Sequence, residues 1–118
     1  MRGIIVPVGW YPYDYEFDGP DDIMSAVDGD FESVPWLFDD SPAVYVNAHG
    51  RENGMMPNRA IMFGDNVADI LYGPIFCAGV DKETGAGSSL TPNEALRVME
   101  YFTKECIPYS GVIAVNSM

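Results

Sequence analysis

The strongest constraint on this chain is a helix signature over residues 92–105. Thr91, Pro92 and Glu94 form a capping box with proline at the first helical position, where a missing N–H is harmless. Ala95, Val98, Met99, Phe102 and Cys106 recur at helical spacing, and Arg97, Lys104 and Glu105 populate the other side. Leu90 is placed to staple onto Ala95. Such a helix has one apolar stripe to bury, so the remaining residues must supply the surface that covers it.

Those residues read mainly as strands. RGIIVPVG (2–9) is a first strand, and Pro7 makes it an edge or ends its ladder. WYPYDYEFDG (10–19) alternates Tyr11, Tyr13, Tyr15 and Phe17 with Asp14, Glu16 and Asp18, so aromatics share one face and carboxylates the other. Residues 19–30 form a short helix. Pro20 opens it, Asp21 and Asp22 sit at the positive end of its dipole, Ile23, Ala26 and Val27 make its buried stripe, and Gly29 supplies a left-handed stop. Strands follow at 31–38 and 43–50 around a turn at 39–42. Residues 51–58 form a loop with an Asn-Gly turn at 53–54. Strands at 59–63 and 74–81 flank residues 67–73, which fit a helical turn or a strand. Residues 82–89 are a flexible tip, and GVIAV in the tail 107–118 reads as a last strand. The order predicts an α+β fold: one mostly antiparallel sheet, with the short N-terminal helix and the longer C-terminal helix packed on one face. With 118 residues, a single domain over 1–118 is expected.

Charge narrows the choice of partners. Eighteen acids face six bases, a net charge of −12. That argues against direct nucleic-acid binding, which needs clustered Lys and Arg, and against docking on anionic membranes. It permits a basic host protein, although solubility alone accounts for it. Asp14, Glu16, Asp18, Asp21, Asp22, Asp28, Asp30, Glu32, Asp39 and Asp40 occur with no Lys or Arg between Arg2 and Arg51. The first eight are the expected acidic interaction face. Since duplex DNA carries a charge about every 1.7 Å, the block suits a short DNA mimic. DGDFE (28–32) also places carboxylates at alternate positions, but the twelve-residue calcium-loop pattern is absent, and surface carboxylates are the favoured reading. No metal and no cofactor is expected. The aromatic strand 10–17 is an edge through which a homodimer can form.

Catalytic chemistry finds little footing. His49 is the sole histidine, too few for a zinc site, and no G-x-S-x-G elbow accompanies Ser41, Ser88 or Ser89. Cys77 and Cys106 sit in an apolar strand and at a helix end, and read as core fillers. Cys77 with His49 makes a nucleophilic pair only if the fold joins them. The apolar run after Met1 is too short and broken for a signal peptide, no run approaches a membrane span, and a cytoplasmic protein with reduced thiols is expected.

One polar corner stands out. PNRAIMFGDNVADILYGPIFCAGVD (57–81) opens with Asn58 and Arg59 after Pro57, in a chain with few cations. In the structural reading Asn58 caps a turn and Arg59 pairs with a carboxylate. In the functional reading Asn58, Arg59 and Gly73 bind a ligand, Arg59 being the fork for an anion and Gly64 or Gly73 allowing close approach.

Four segments, IMSAVDGDFESVP (23–35), PNRAIMF (57–63), ADILYGPIFCAGVD (68–81) and SLTPNEALRVMEYF (89–102), stand in this order. Together they resemble the family catalogued as domain of unknown function 3846. The resemblance covers roughly residues 20–105, and segments 10–19 and 107–118 look like additions. It implies a small cytoplasmic product of a phage, plasmid or conjugative element, with no catalytic residue to carry over. Pro57, Asn58, Arg59 and Gly73 match the family signature. The expected function is a non-enzymatic accessory protein that binds a host protein or small ligand. The alternative is an acidic partial DNA mimic that inhibits a host DNA-handling protein.

Overall fold

A computed structural model describes residues 1–38, 41–104, 106–109 and 112–116. In chain order the elements are β1 (Arg2–Val6), β2 (Tyr13–Glu16), α1 (Pro20–Val27), β3 (Phe31–Ser33), β4 (Ala43–Asn47), β5 (Pro57–Phe63), β6 (Asn66–Tyr72), β7 (Ile75–Val80), β8 (Gly87–Ser88), α2 (Pro92–Lys104), β9 (Cys106–Tyr109) and β10 (Val112–Asn116). The class is α+β with mostly antiparallel pairing. Asp39, Asp40 and Glu105 lie outside the described residues.

The strands form two sheets rather than one. The first has the order β2-β1-β7-β4-β3, antiparallel throughout, with β8 paired to β7. The second has the order β6-β5-β10-β9, in which β10 runs parallel to β5. That pairing joins segments some fifty residues apart, with α2 on the chain between them, and no local pattern signals it.

The helices pack on opposite faces of the first sheet, not on one. Ile4, Val6, Val44, Val46 and Cys77 share a core with Ala95, Val98, Tyr101 and Phe102 of α2, and with Ile61 and Leu71 of the second sheet. Ile5, Phe76 and Ala78 face the other way, against Ile23, Ala26 and Val27 of α1. Both faces are covered, so β1 and β7 are apolar in consecutive positions rather than alternating.

Local chemistry explains most element ends. Pro20 occupies the first turn of α1, and the Asp18 N–H donates to the Asp22 carboxylate at 2.7 Å. The left-handed stop falls on Asp28 (φ 67°), one residue before the expected Gly29. β3 ends at Ser33 rather than continuing to 38, because Pro35 has no N–H to give a ladder. Residues 67–73 resolve as strand. Cys106 begins β9 instead of closing the helix stripe. Among the described residues no helix is long and apolar enough to cross a membrane.

The capping box of α2 closes as expected. The Glu94 N–H donates to Thr91 Oγ1 at 3.1 Å, and the Thr91 N–H donates to Glu94 Oε1 at 2.9 Å. Ser41 donates to the second carboxylate oxygen of Glu94. Burial pushes the Glu94 carboxyl up, but hydrogen bonds from Ser41 and Thr91 and the charge of Lys82 outweigh it, holding the group below its ordinary range. A depressed folded value means stability that is present above the unfolded value and lost as pH falls through the folded one. Thr91→Ala should cost about 1 kcal/mol in a urea titration. The stability difference between the native chain and Glu94→Gln should shrink as pH drops below about 4.3, the ordinary glutamate value. A difference that does not change with pH would refute this role of the carboxylate.

Candidate functional site

The structure brings Asn58, Arg59 and Gly73 together, but inside the protein. Asn58 Nδ2 donates to the carbonyls of Val6 and Gly73, both at 2.8 Å. Arg59 Nη1 donates to Asn58 Oδ1 at 2.6 Å, and Nη2 to the Trp10 carbonyl at 2.8 Å and the Phe102 carbonyl at 3.5 Å. Both side chains are 1% exposed. Gly73 adopts φ +75°, and a Cβ there would lie 2.9 Å from the Met55 side chain. The group staples β1, β5, the loop before β2 and the end of α2. Burial at this level favours a structural role for these three residues over a ligand site, with carbonyls and the Asn58 amide as the partners of Arg59 among the described residues rather than the expected carboxylate.

The acidic residues do not assemble into one face. Register places Asp14 and Glu16 beside Ile4 and Arg2 on the α2 side of the first sheet. Glu32 lies opposite Val46 on the same side, but at the far edge. β2 and β3 are separated by three strands, so the two groups stand roughly 19 Å apart at ordinary strand spacing. Asp21 and Asp22 begin α1 and Asp28 ends it, on the opposite face, while Asp18 and Asp30 lie in the connections flanking that helix. Asp14 pairs with Arg2 at 2.8 Å. The period-two expectation for β2 holds, with Tyr15 packed on the α1 side and Asp14 and Glu16 on the other.

Nor does the fold make a reactive pair of Cys77 and His49. Cys77 is 0% exposed in the core, and burial pushes its thiol far up, away from the thiolate. His49 is in an exposed loop, its Nδ1 3.3 Å from Glu52 Oε2. Among the described residues no group of three His, Cys, Asp or Glu side chains is placed to hold a metal ion. The side chain of Cys106 lies outside the described ones.

One open feature is a groove of 380 Å³ between the two sheets, a volume in the range of ligand sites. Glu32, Ser33 and Val34 form one wall and Asp69 to Tyr72 of β6 the other. Asn47, Arg51 and Glu52 complete it, and Trp36 stands at its side, 45% exposed. Its charged side chains are three carboxylates and one guanidinium. Asn47 shapes it. Nδ2 donates to the Val27 and Asp28 carbonyls at 3.1 and 3.2 Å, and Oδ1 accepts from the His49 N–H at 2.8 Å. This ties the turn after β4 to the end of α1. Sequence reasoning passed over Asn47, whose one signal is an amide closing an apolar strand.

A second cavity, of 430 Å³, lies between α1 and the first sheet and is lined by Phe17, Ile23, Phe31 and Tyr45. Burial raises the Tyr45 phenol above its ordinary range.

These features define a small acidic α+β protein with a polar groove between two sheets. The chain belongs to the family described as a domain of unknown function (DUF3846), whose model matches residues 1–103. The match takes in the aromatic strand segment 10–19, which the resemblance had set aside, and leaves out the tail. No curated protein and no solved structure matches the chain.

Proposed function

We propose that this chain is an accessory protein of a phage or other mobile genetic element, acting in the cytoplasm by binding a host protein rather than by catalysis. The partner enters the groove between the two sheets. The groove itself carries this reading: it is open, of ligand size, and lined by charged side chains from both sheets. The link to a mobile element rests on the family resemblance alone. The alternative, a partial DNA mimic, is weakened by the dispersal of the acids over both faces.

The test is capture from host lysate at low and high salt, comparing the native chain with a Trp36→Ala, Glu52→Lys variant. Both side chains are exposed, so the fold should survive. The expected result is a protein retained at high salt by the native chain and reduced at least tenfold by the variant. A DNA-handling protein lost at high salt, equally from both chains, would favour the mimic. Retention of the same proteins by both chains at high salt would remove the groove as the binding site.

A further inference from the structure

We propose that the groove takes an extended basic segment of the partner, which adds to the second sheet as a strand beside β6. This deepens the binding role above and rests on it. β6 and β3 are each the last strand of their sheet among the described residues, and the groove lies between them. An edge strand presents main-chain donors and acceptors that no ladder uses, which is a template for an added strand.

One contact shows how that edge is kept closed. The solvent-exposed N–H of Ile70 donates to Asp69 Oδ1 at 2.8 Å, and both residues line the groove. A side-chain carboxylate thus already occupies a main-chain donor of this strand. It blunts the edge, and an incoming strand replaces it with a main-chain acceptor.

Charge selects the occupant. Glu32, Glu52 and Asp69 outnumber Arg51 along the groove. Side chains of an added strand alternate, so Lys or Arg at every second position meets these carboxylates. Trp36 offers a ring face to a cationic head group. A second copy of this chain fits poorly. Eighteen acids against six bases leave few cations to supply, and antiparallel pairing of two β6 strands brings Asp69 towards its counterpart. The β2 edge has the same defect, because antiparallel pairing of two β2 strands can set Asp14 opposite the Glu16 of the copy. Like charge therefore argues against the homodimer expected through strand 10–17.

The probe is an end-blocked eight-residue peptide of alternating Lys and Val, titrated by calorimetry into the full chain, with amide exchange read along β6. Two controls accompany it: the same peptide with Glu for Lys, and a Lys-Val peptide N-methylated at alternate residues, which keeps its charge and loses strand donors. Binding of the Lys-Val peptide with slowed exchange in β6, no binding of the Glu peptide, and at least tenfold weaker binding of the N-methylated one are expected. Glu32→Gln should weaken the Lys-Val peptide several-fold. Equal binding of the N-methylated peptide would overturn strand addition in favour of charge attraction alone. Protection at β2 instead of β6 would overturn the site. If no peptide binds while a groove-dependent partner is captured from lysate, strand addition fails and the binding role stands. If neither is seen, both fail.

Discussion

Replacing Arg59 with alanine is expected to destabilise the protein by roughly 3–5 kcal/mol, the range for breaking a buried charged network. At 118 residues that corresponds to a fall in Tm of about 15 °C. The physical cause is a set of oxygens that depend on one buried guanidinium. The Phe102 carbonyl lies in the last turn of α2, where helix carbonyls lack an intrahelical donor. The Trp10 carbonyl belongs to the loop between β1 and β2, and Asn58 Oδ1 needs a donor because Asn58 Nδ2 is committed to Val6 and Gly73. One planar fork serves all of these at 1% exposure. Arg59→Lys keeps the charge but loses the fork, and should recover less than half the loss. Thermal denaturation followed by circular dichroism gives both numbers. If Arg59→Ala keeps the native Tm and instead loses a captured partner, the guanidinium is a ligand group and the structural account fails.

The contrast between Arg59 and the groove shows what a sequence of this kind discloses. Thr91, Pro92 and Glu94 announce α2 because capping acts within four residues, and Pro20 with Ile23, Ala26 and Val27 announces α1 in the same way. Strand identity was legible from the β-branched and aromatic runs. Sheet membership was not, since β5 takes β10 as its parallel neighbour only after the chain has passed through β6, β7 and α2. One signal for the two-sided core was present: the consecutive apolar residues of β1 and β7 have no polar face to give to water. Asn58 and Arg59 stood out as polar residues in an apolar context, yet that pattern is shared by a ligand site and a buried staple. Burial separates the two, and burial follows from packing. The groove was invisible because β3, the turn after β4 and β6 supply its walls from segments with no common motif.

Phe76→Ala should remove roughly 3–5 kcal/mol, as expected for deleting a buried aromatic ring. Phe76 is 0% exposed in β7, the central strand of the first sheet. Its ring meets Phe17 and Tyr15 edge-on at 5.2 and 5.7 Å and stacks on Tyr45 at 6.5 Å. Neighbouring β1 makes room for it with Gly3, where an added Cβ would lie 2.5 and 2.7 Å from Phe76 ring atoms. Gly3→Ala should therefore be destabilising alone and much less so in the Phe76→Ala background, with a coupling of about 1 kcal/mol or more in a double-mutant cycle. Strict additivity would mean that the ring does not dictate glycine at position 3. The effect should also reach the groove. Phe76 is part of the surface on which α1 sits, and the carbonyls at the end of α1 hold Asn47. Loosening α1 should raise amide exchange across 47–50 before the groove's outer wall in β6 responds. Equal acceleration in both walls would indicate global unfolding rather than transmission through α1 and Asn47.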